Sequence, residues 1–170
     1  MSKKKGIENT SPKFESAVFF VKDVEKAKNF YSNLLSQKIT MDFGRNVTFE
    51  GGLAIWEADY ALNIIFSEKA KDIKVGGNNS EIYFESSNLD ELHNKLKNEG
   101  VEMMHPIVEA PWGQRSFRVY DPDNHIVEFG EAMSTVIIRL HQQGMSPEEI
   151  NKKSFMPIEI VKDVIKNIKK

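Results

Sequence analysis

An internal repeat with an offset of 65 residues constrains most strongly how this chain can fold. Ser16 and Glu81, 65 positions apart, each begin a short strand-like run. The helical patterns that follow begin with Asp23-Val24-Glu25 and Asn88-Leu89-Asp90, again 65 positions apart. A repeated unit that cannot bury its apolar residues alone is typically paired with its copy. The sequence therefore predicts two copies of one module, spanning residues 14–66 and 80–130.

Each copy predicts one strand, one helix and three further strands. Short runs of alternating apolar residues indicate the strands, and apolar residues at helical spacing indicate the helix. In the first copy the predicted elements are a strand at 16–22, a helix from 24 to 35, and strands at 38–43, 46–50 and 53–57. In the second they are a strand at 81–85, a helix from 89 to about 100, and strands at 101–108, 115–120 and 125–129. The expected fold class is α+β, built from two βαβββ modules.

Three segments lie outside these modules. Polar residues 1–13 predict a flexible arm, and residues 67–79 predict a connector. Residues 132–170 predict a helical extension to a domain that spans 14–131. Ser146-Pro-Glu-Glu149 has the capping residues of a helix start. The apolar stripes of the extension must pack on the sheet or on another subunit, so we expect a homodimer.

Composition excludes several classes of protein. The 23 basic and 25 acidic residues nearly balance, and cysteine is absent, which removes disulfides and thiolate chemistry. The first residues carry no apolar run of a secretory signal, so we expect a cytoplasmic protein without membrane contact. The extension resembles a helix-turn-helix pair, but its net charge is only +3 from Arg139 onward. Few of its side chains can read bases, so nucleic-acid binding is not expected.

Two motifs carry a resemblance to a known superfamily. Val21-Lys-Asp-Val-Glu-Lys-Ala-Lys-Asn-Phe-Tyr31 looks like its strand-to-helix signature. Pro111-Trp-Gly-Gln-Arg115 and Tyr120-Asp-Pro-Asp-Asn-His-Ile-Val-Glu128 look like its closing hairpin. The chain resembles the vicinal oxygen chelate superfamily, which includes glyoxalase I, bleomycin-resistance and fosfomycin-resistance proteins, and extradiol dioxygenases. The resemblance implies a curled mixed sheet around a cleft.

Metal-dependent members of that superfamily place ligands on the first and last strands of each module. Those positions correspond here to Ser16, Glu57, Glu81 and Glu128, and Ser16 replaces the usual first ligand. Without histidine, such a carboxylate set suits a hard cation such as Mg or Mn. Without a metal, one crowded carboxyl would take up a proton, and Glu128 or Glu81 would then serve as a catalytic base. Alternatively, both pair with Arg115 or Arg118, or face water.

Aromatic and basic side chains are the remaining candidates for ligand binding. Phe20, Trp56, Tyr83 and Trp112 either form an aromatic wall for a planar ligand or pack in the core. Arg115 and Arg118 either bind an anionic substrate or lie on the surface.

Three functions fit the sequence. The first is a glyoxalase- or dioxygenase-like enzyme, in the lyase or dioxygenase class, that acts on a small molecule. The second is a bleomycin-resistance-type binder without catalysis. The third is a ligand-sensing regulator that uses its C-terminal helices. A divalent metal is the cofactor considered, and no organic cofactor is implied.

Overall fold

The computed structural model describes residues 12–67 and 69–168 of the chain. The chain divides into two compact units, Met1–Ile73 and Lys74–Lys170. Residues 1–11 of the predicted arm lie outside the described residues. Each unit holds one four-stranded mixed sheet, and the α+β class with two βαβββ modules is confirmed.

The first unit builds its sheet in the order β1-β4-β3-β2, with β1 parallel to β4. Asp23 begins the first helix by accepting a hydrogen bond from the Lys26 N–H at 3.1 Å. The elements are β1 Ala17–Val21, α1 Val24–Lys28 with a π-helical continuation Asn29–Leu34, β2 Ile39–Asp42, β3 Asn46–Phe49, β4 Leu53–Glu57 and α2 Ala58–Ile65.

Helix α2 is absent from the elements that the sequence pattern predicts. Ala58 and Ala61 are buried, whereas Ile64 and Ile65 are about half exposed. Ala58, Ala61, Leu62 and Ile65 stand at the i, i+3, i+4, i+7 spacing of an apolar helix face, so the sequence does carry a signal for this helix. The main core of the unit lies elsewhere, where Tyr31 packs on Phe49 with ring centroids 5.8 Å apart.

The second unit repeats this topology in the sheet order β5-β8-β7-β6, with β5 parallel to β8. Phe117 and Phe129 stack at 5.1 Å on the face that meets the helix, and His93 of that helix contacts the Phe117 ring at 5.0 Å. The elements are β5 Gly77–Ser86, α3 Leu89–Asn98, β6 Met103–Glu109, β7 Arg115–Tyr120 and β8 His125–Glu131. Strand β5 therefore begins within the segment predicted as a connector.

Three C-terminal helices belong to the same unit: α4 Met133–Gln142, α5 Pro147–Ser154 and α6 Ile158–Ile168. The predicted capping box of Ser146 and Glu149 is present at the start of α5. The helices pack on one another around a buried apolar cluster of Val136, Ile137, Leu140, Ile150, Val161 and Ile165. In the part of the chain that the structure describes, no helix has both the length and the apolar composition needed to span a bilayer.

Hydrogen bonds among Gly76, His125 and Asp121, which we call the polar lock, join the residue before β5 to the turn before β8. The backbone N–H of Gly76 donates to His125 Nε2 at 3.3 Å, and His125 Nδ1 lies 2.9 Å from Asp121 Oδ2. The N–H of His125 donates to Asp121 Oδ1 at 2.8 Å. The residues of the predicted Asp121-Pro-Asp123 turn therefore have a structural role.

The lock leaves no room for a side chain at Gly76. Its φ is +73°, and an added Cβ would lie 2.1 Å from the carbonyl oxygen of Asp123. We expect Gly76→Ala to lower the free energy of unfolding by about 2 kcal/mol or more, since steric overlap adds to left-handed backbone strain. Gly100→Ala is the matched control, because Gly100 has a φ of +74° and open space around it. Urea unfolding of both variants measures the difference, and equal losses would contradict the proposed overlap.

Candidate functional site

One face of the second sheet collects the charged residues of the predicted site. Side chains alternate along each strand, so Glu81 and Tyr83 of β5 point away from the face that packs on α3. The strand register sets Tyr83 beside Glu128 of β8, and Glu128 beside Arg118 of β7. We call this surface, defined by Glu81, Tyr83, Arg118 and Glu128, the carboxylate face.

A single guanidinium group links the two carboxylates of this face. Arg118 Nε donates to Glu81 Oε2 at 2.9 Å, and Arg118 Nη2 lies 2.9 Å from Glu128 Oε2. Of the alternatives that the sequence left open, the structure shows both glutamates paired with Arg118. With both carboxylates ionised, the three groups carry a net charge of −1 and offer more acceptors than donors.

The environment moves the pKa values of the two glutamates in opposite directions. Glu128 is only 8% exposed, and burial raises the pKa of its carboxyl, with a further contribution from the nearby Glu81 charge. The hydrogen bond from Arg118 lowers the pKa of the Glu81 carboxyl. A pair of carboxyl groups with separated pKa values is the usual arrangement for acid–base chemistry. Glu128 is the member that can accept and release a proton nearer to neutral pH.

Polar and aromatic side chains border the carboxylate face. Gln114 Nε2 donates to the Tyr83 hydroxyl at 2.9 Å and to the Glu131 carbonyl at 2.8 Å. The indole N–H of Trp112 donates to Gln114 Oε1 at 3.0 Å. Tyr83 and Trp112 remain 44% and 40% exposed, so both offer ring surface to a ligand. A Cβ at Gly130 would lie 2.9 Å from the Tyr83 hydroxyl, so the absence of a side chain there makes room for the tyrosine.

Gln114 is a site residue that the sequence reasoning missed. It lies inside the quoted Pro111-Trp-Gly-Gln-Arg115 motif, but the neighbouring aromatic and basic residues have stronger chemical signals. The structure shows that its amide joins the Trp112 ring in the turn between β6 and β7 to the Tyr83 ring on β5. Its position two residues after Trp112 in the same motif could have indicated a contact between the two side chains.

Arg115 lies apart from the carboxylate face. Alternation along β7 turns it to the side of α3, where its guanidinium lies 2.7 Å from Asp90 Oδ1 and 3.4 Å from Glu131 Oε1. The structure therefore does not bring Arg115 together with Arg118, and two carboxylates already occupy its donors.

The other predicted residues belong to the first unit. Phe20 and Trp56 are register partners in the β1–β4 pair, and Ser16 directly precedes β1. The buried indole N–H of Trp56 has no hydrogen-bond partner among the described residues. Glu57 Oε2 forms an ion pair with Arg45 Nη1 at 3.0 Å. Its role as a metal ligand stays a prediction.

The carboxylate face does not fit a divalent cation. Arg118 already supplies a positive charge between Glu81 and Glu128, and a metal would have to displace it. Zinc, nickel and ferrous iron also favour imidazole ligands, which this pair of carboxylates lacks. Within residues 12–67 and 69–168, no group of three or more His, Asp or Glu side chains is placed to hold a metal ion.

The opposite pKa directions give a pH test based on Glu128→Gln, whose amide resembles the protonated carboxyl. The pKa of Glu128 is raised in the folded protein, so the folded state holds this proton more tightly than the unfolded state does. The resulting stabilisation is complete below the unfolded-state pKa and is lost as the pH rises through the folded-state pKa. We expect the free energy of unfolding of the variant, relative to wild type, to increase between about pH 4 and about pH 7. Urea unfolding at both pH values measures this.

Glu81→Gln is the matched control with the opposite sign. Arg118 lowers the pKa of Glu81, so its ionised form stabilises the folded state above the unfolded-state pKa and loses that effect as the pH falls. The relative stability of this variant should therefore decrease over the same rise in pH. Changes of the same sign in both variants would contradict the assignment of the two carboxyl groups.

Solved structures with the same fold provide comparisons. A protein of unknown function from Agrobacterium tumefaciens str. C58 is 37% identical, with a TM-score of 0.66 over 72% of this chain and 95% of its own. A member of the glyoxalase/bleomycin resistance protein/dioxygenase superfamily from Sphaerobacter thermophilus DSM 20745 is 27% identical, with a TM-score of 0.55 over 72% and 98%. A genomically encoded fosfomycin resistance protein from Listeria monocytogenes is 24% identical, with a TM-score of 0.55 over 72% and 94%, and shows the fold alone.

A family model described as a glyoxalase-like domain matches residues 14–134. The match covers both βαβββ modules and every candidate site residue named above. It agrees with the resemblance carried by the two sequence motifs and with the repeated sheet topology. The chain belongs to the glyoxalase-like family within the vicinal oxygen chelate superfamily.

Proposed function

We propose that the carboxylate face binds a small molecule and that Glu128 exchanges a proton with it. The observation that carries this proposal is the buried Glu128 carboxyl, which has a raised pKa and is linked through Arg118 to an ionised Glu81. Buried carboxyl groups in polar sites are common general bases. The protein would then be a proton-transfer enzyme of the glyoxalase-like family.

In this mechanism each residue of the face has a separate task. Ionised Glu128 accepts a proton from an O–H or an activated C–H group of the ligand and later returns it. Arg118 holds the carboxylate in place, while the permanent charge of Glu81 favours proton uptake by Glu128. General acid–base catalysis of this kind contributes roughly 10²- to 10⁴-fold in rate.

The charge of the face favours neutral or cationic ligands. The Arg118 guanidinium already contacts two carboxylates, so it offers little to a ligand anion. The net negative charge and the spare carboxylate lone pairs attract groups that donate hydrogen bonds. Tyr83 and Trp112 add exposed ring surface on which a planar ligand or an ammonium group can pack.

Non-catalytic binding is the second candidate, and the half-exposed Tyr83 and Trp112 favour it. Such rings bind a ligand without requiring any reaction. One similar structure carries bleomycin resistance in its superfamily name. We do not propose a dioxygenase, because its iron needs histidine ligands that the carboxylate face does not offer. The homodimer, the cytoplasmic location and the regulator stay predictions.

Deuterium exchange tests catalysis. Wild-type protein in D₂O is mixed with hydroxyacetone, and the loss of its CH₂ signal is followed by ¹H NMR. We expect Glu128→Gln to slow the protein-dependent exchange by roughly 10²-fold or more, because an amide cannot accept the proton. Glu99→Gln, which removes an exposed carboxylate at the end of α3, is the control and should exchange like wild type. Equal protein-dependent exchange rates for wild type and Glu128→Gln would contradict proton transfer by this residue.

Ligand charge provides a separate test of binding. We expect metal-free bleomycin, a cation, to bind at least about tenfold more tightly than fosfomycin, an anion, because like charges repel at the carboxylate face. Isothermal titration calorimetry measures both dissociation constants. Glu81→Gln should weaken bleomycin binding, while Glu99→Gln should not. Tighter binding of fosfomycin would contradict the proposed ligand class.

A further inference from the structure

We propose that the C-terminal helices position the tip of the β6–β7 hairpin, and that Arg139 of α4 is the positioning residue. The tip, residues 110–114, carries Trp112 and Gln114 to the border of the carboxylate face. The claim that this border contacts a ligand rests on the function proposed above. Arg139 sets the geometry of the tip through contacts that lie within the second unit.

Arg139 reaches three separate points around the hairpin. Its guanidinium lies 3.1 Å from Glu109 Oε2 at the end of β6 and 2.8 Å from Glu131 Oε2 at the end of β8. It also donates to the carbonyl oxygen of Gly113 in the tip itself. A planar guanidinium with several donors can fix three acceptors at once, which a lysine cannot do with the same geometry.

Glu131 connects Arg139 to the site residue Gln114. Its side chain is buried, at 6% exposure, and its carboxylate also accepts the backbone N–H of Arg115 at 3.1 Å. Its main-chain carbonyl accepts the Gln114 amide at 2.8 Å. The oxygen of the same Gln114 amide accepts a hydrogen bond from the indole N–H of Trp112. Arg139, Glu131, Gln114 and Trp112 therefore form a continuous chain of polar contacts.

The tip also packs directly on the helices. A Cβ at Gly113 would lie 3.2 Å from Lys153 Cε and 3.3 Å from Leu140 Cδ1, so this glycine lets α4 and α5 approach the turn closely. Lys153 Nζ of α5 forms a second ion pair with Glu109, at 3.2 Å. Both helices thus hold the same turn, through apolar contact and through charge.

Arg139, α5 and α6 lie beyond residue 134, where the match to the glyoxalase-like domain ends. The hairpin tip, in contrast, lies inside the match. The inferred role therefore belongs to the extension of this chain and assigns it a task within the second unit.

The two tryptophans make the test direct. In a ¹⁵N-labelled protein, the indole N–H signals of Trp56 and Trp112 are assigned with Trp56→Phe. We expect Arg139→Met to shift the Trp112 signal and to speed its exchange with water by about tenfold, because the hydrogen bond to Gln114 is no longer held. The Trp56 signal, from the first unit, should stay unchanged. In Arg139→Lys the Trp112 signal should lie between its positions in wild type and in Arg139→Met, because lysine keeps the charge but not the geometry of the guanidinium.

Lys162→Met is the matched control, since Lys162 of α6 forms its ion pair, at 3.4 Å, with Glu148 of α5 and not with the hairpin. It should leave the Trp112 signal at its wild-type position. If Arg139→Met does not fold, Glu109→Gln is the second variant, because it weakens the ion pairs of the hairpin with Arg139 and Lys153. It should shift the Trp112 indole N–H signal in the same direction. An unchanged Trp112 signal in a folded Arg139→Met or Glu109→Gln variant would overturn the proposal. This measurement contains no ligand, so it stands apart from the tests of function.

Discussion

Parallel pairing between the first and last strands of each module is the constraint on which the site depends. In the second unit this pairing sets Tyr83 beside Glu128, although the two are far apart in sequence. Strand β7 then adds Arg118 from the other side of Glu128. Because β8 has a strand paired on each side, the Glu128 carboxyl is shielded from water, and this burial raises its pKa.

The same pairing shows how the two copies of the repeat have diverged. Val18 and Tyr83 are 65 positions apart, and their register partners are Ala54 and Glu128. Ala54 is therefore the counterpart of the buried glutamate, and an apolar pair in the first unit replaces a polar pair in the second. One module presents an apolar pair at this position, whereas its copy carries titratable groups on the same framework.

Sequence periodicity was sufficient for the topology but not for the site. The strands and the capping box at Ser146 follow from local pattern and alternation, whereas the sequence left open whether the two glutamates pair with Arg115, pair with Arg118 or face water. Arg115 and Arg118 are three residues apart, so alternation already predicts opposite sides of β7 for them, and the register with β8 then shows that Arg118 is the one beside Glu128. Gln114 was missed because an amide has no distinctive pattern. The lock between Gly76 and His125 joins residues 49 apart and has no local signal.

The C-terminal helices combine two kinds of interaction that respond differently to solution conditions. Their own core is an apolar cluster around Leu140 and Ile150, which salt does not screen. Their ties to Glu109 are partly exposed ion pairs, whose strength falls as the Debye length shortens. Raising the ionic strength should thus weaken the ion pairs between the helices and the hairpin while the helices stay folded. The border of the carboxylate face would then be more mobile in concentrated salt than in dilute buffer.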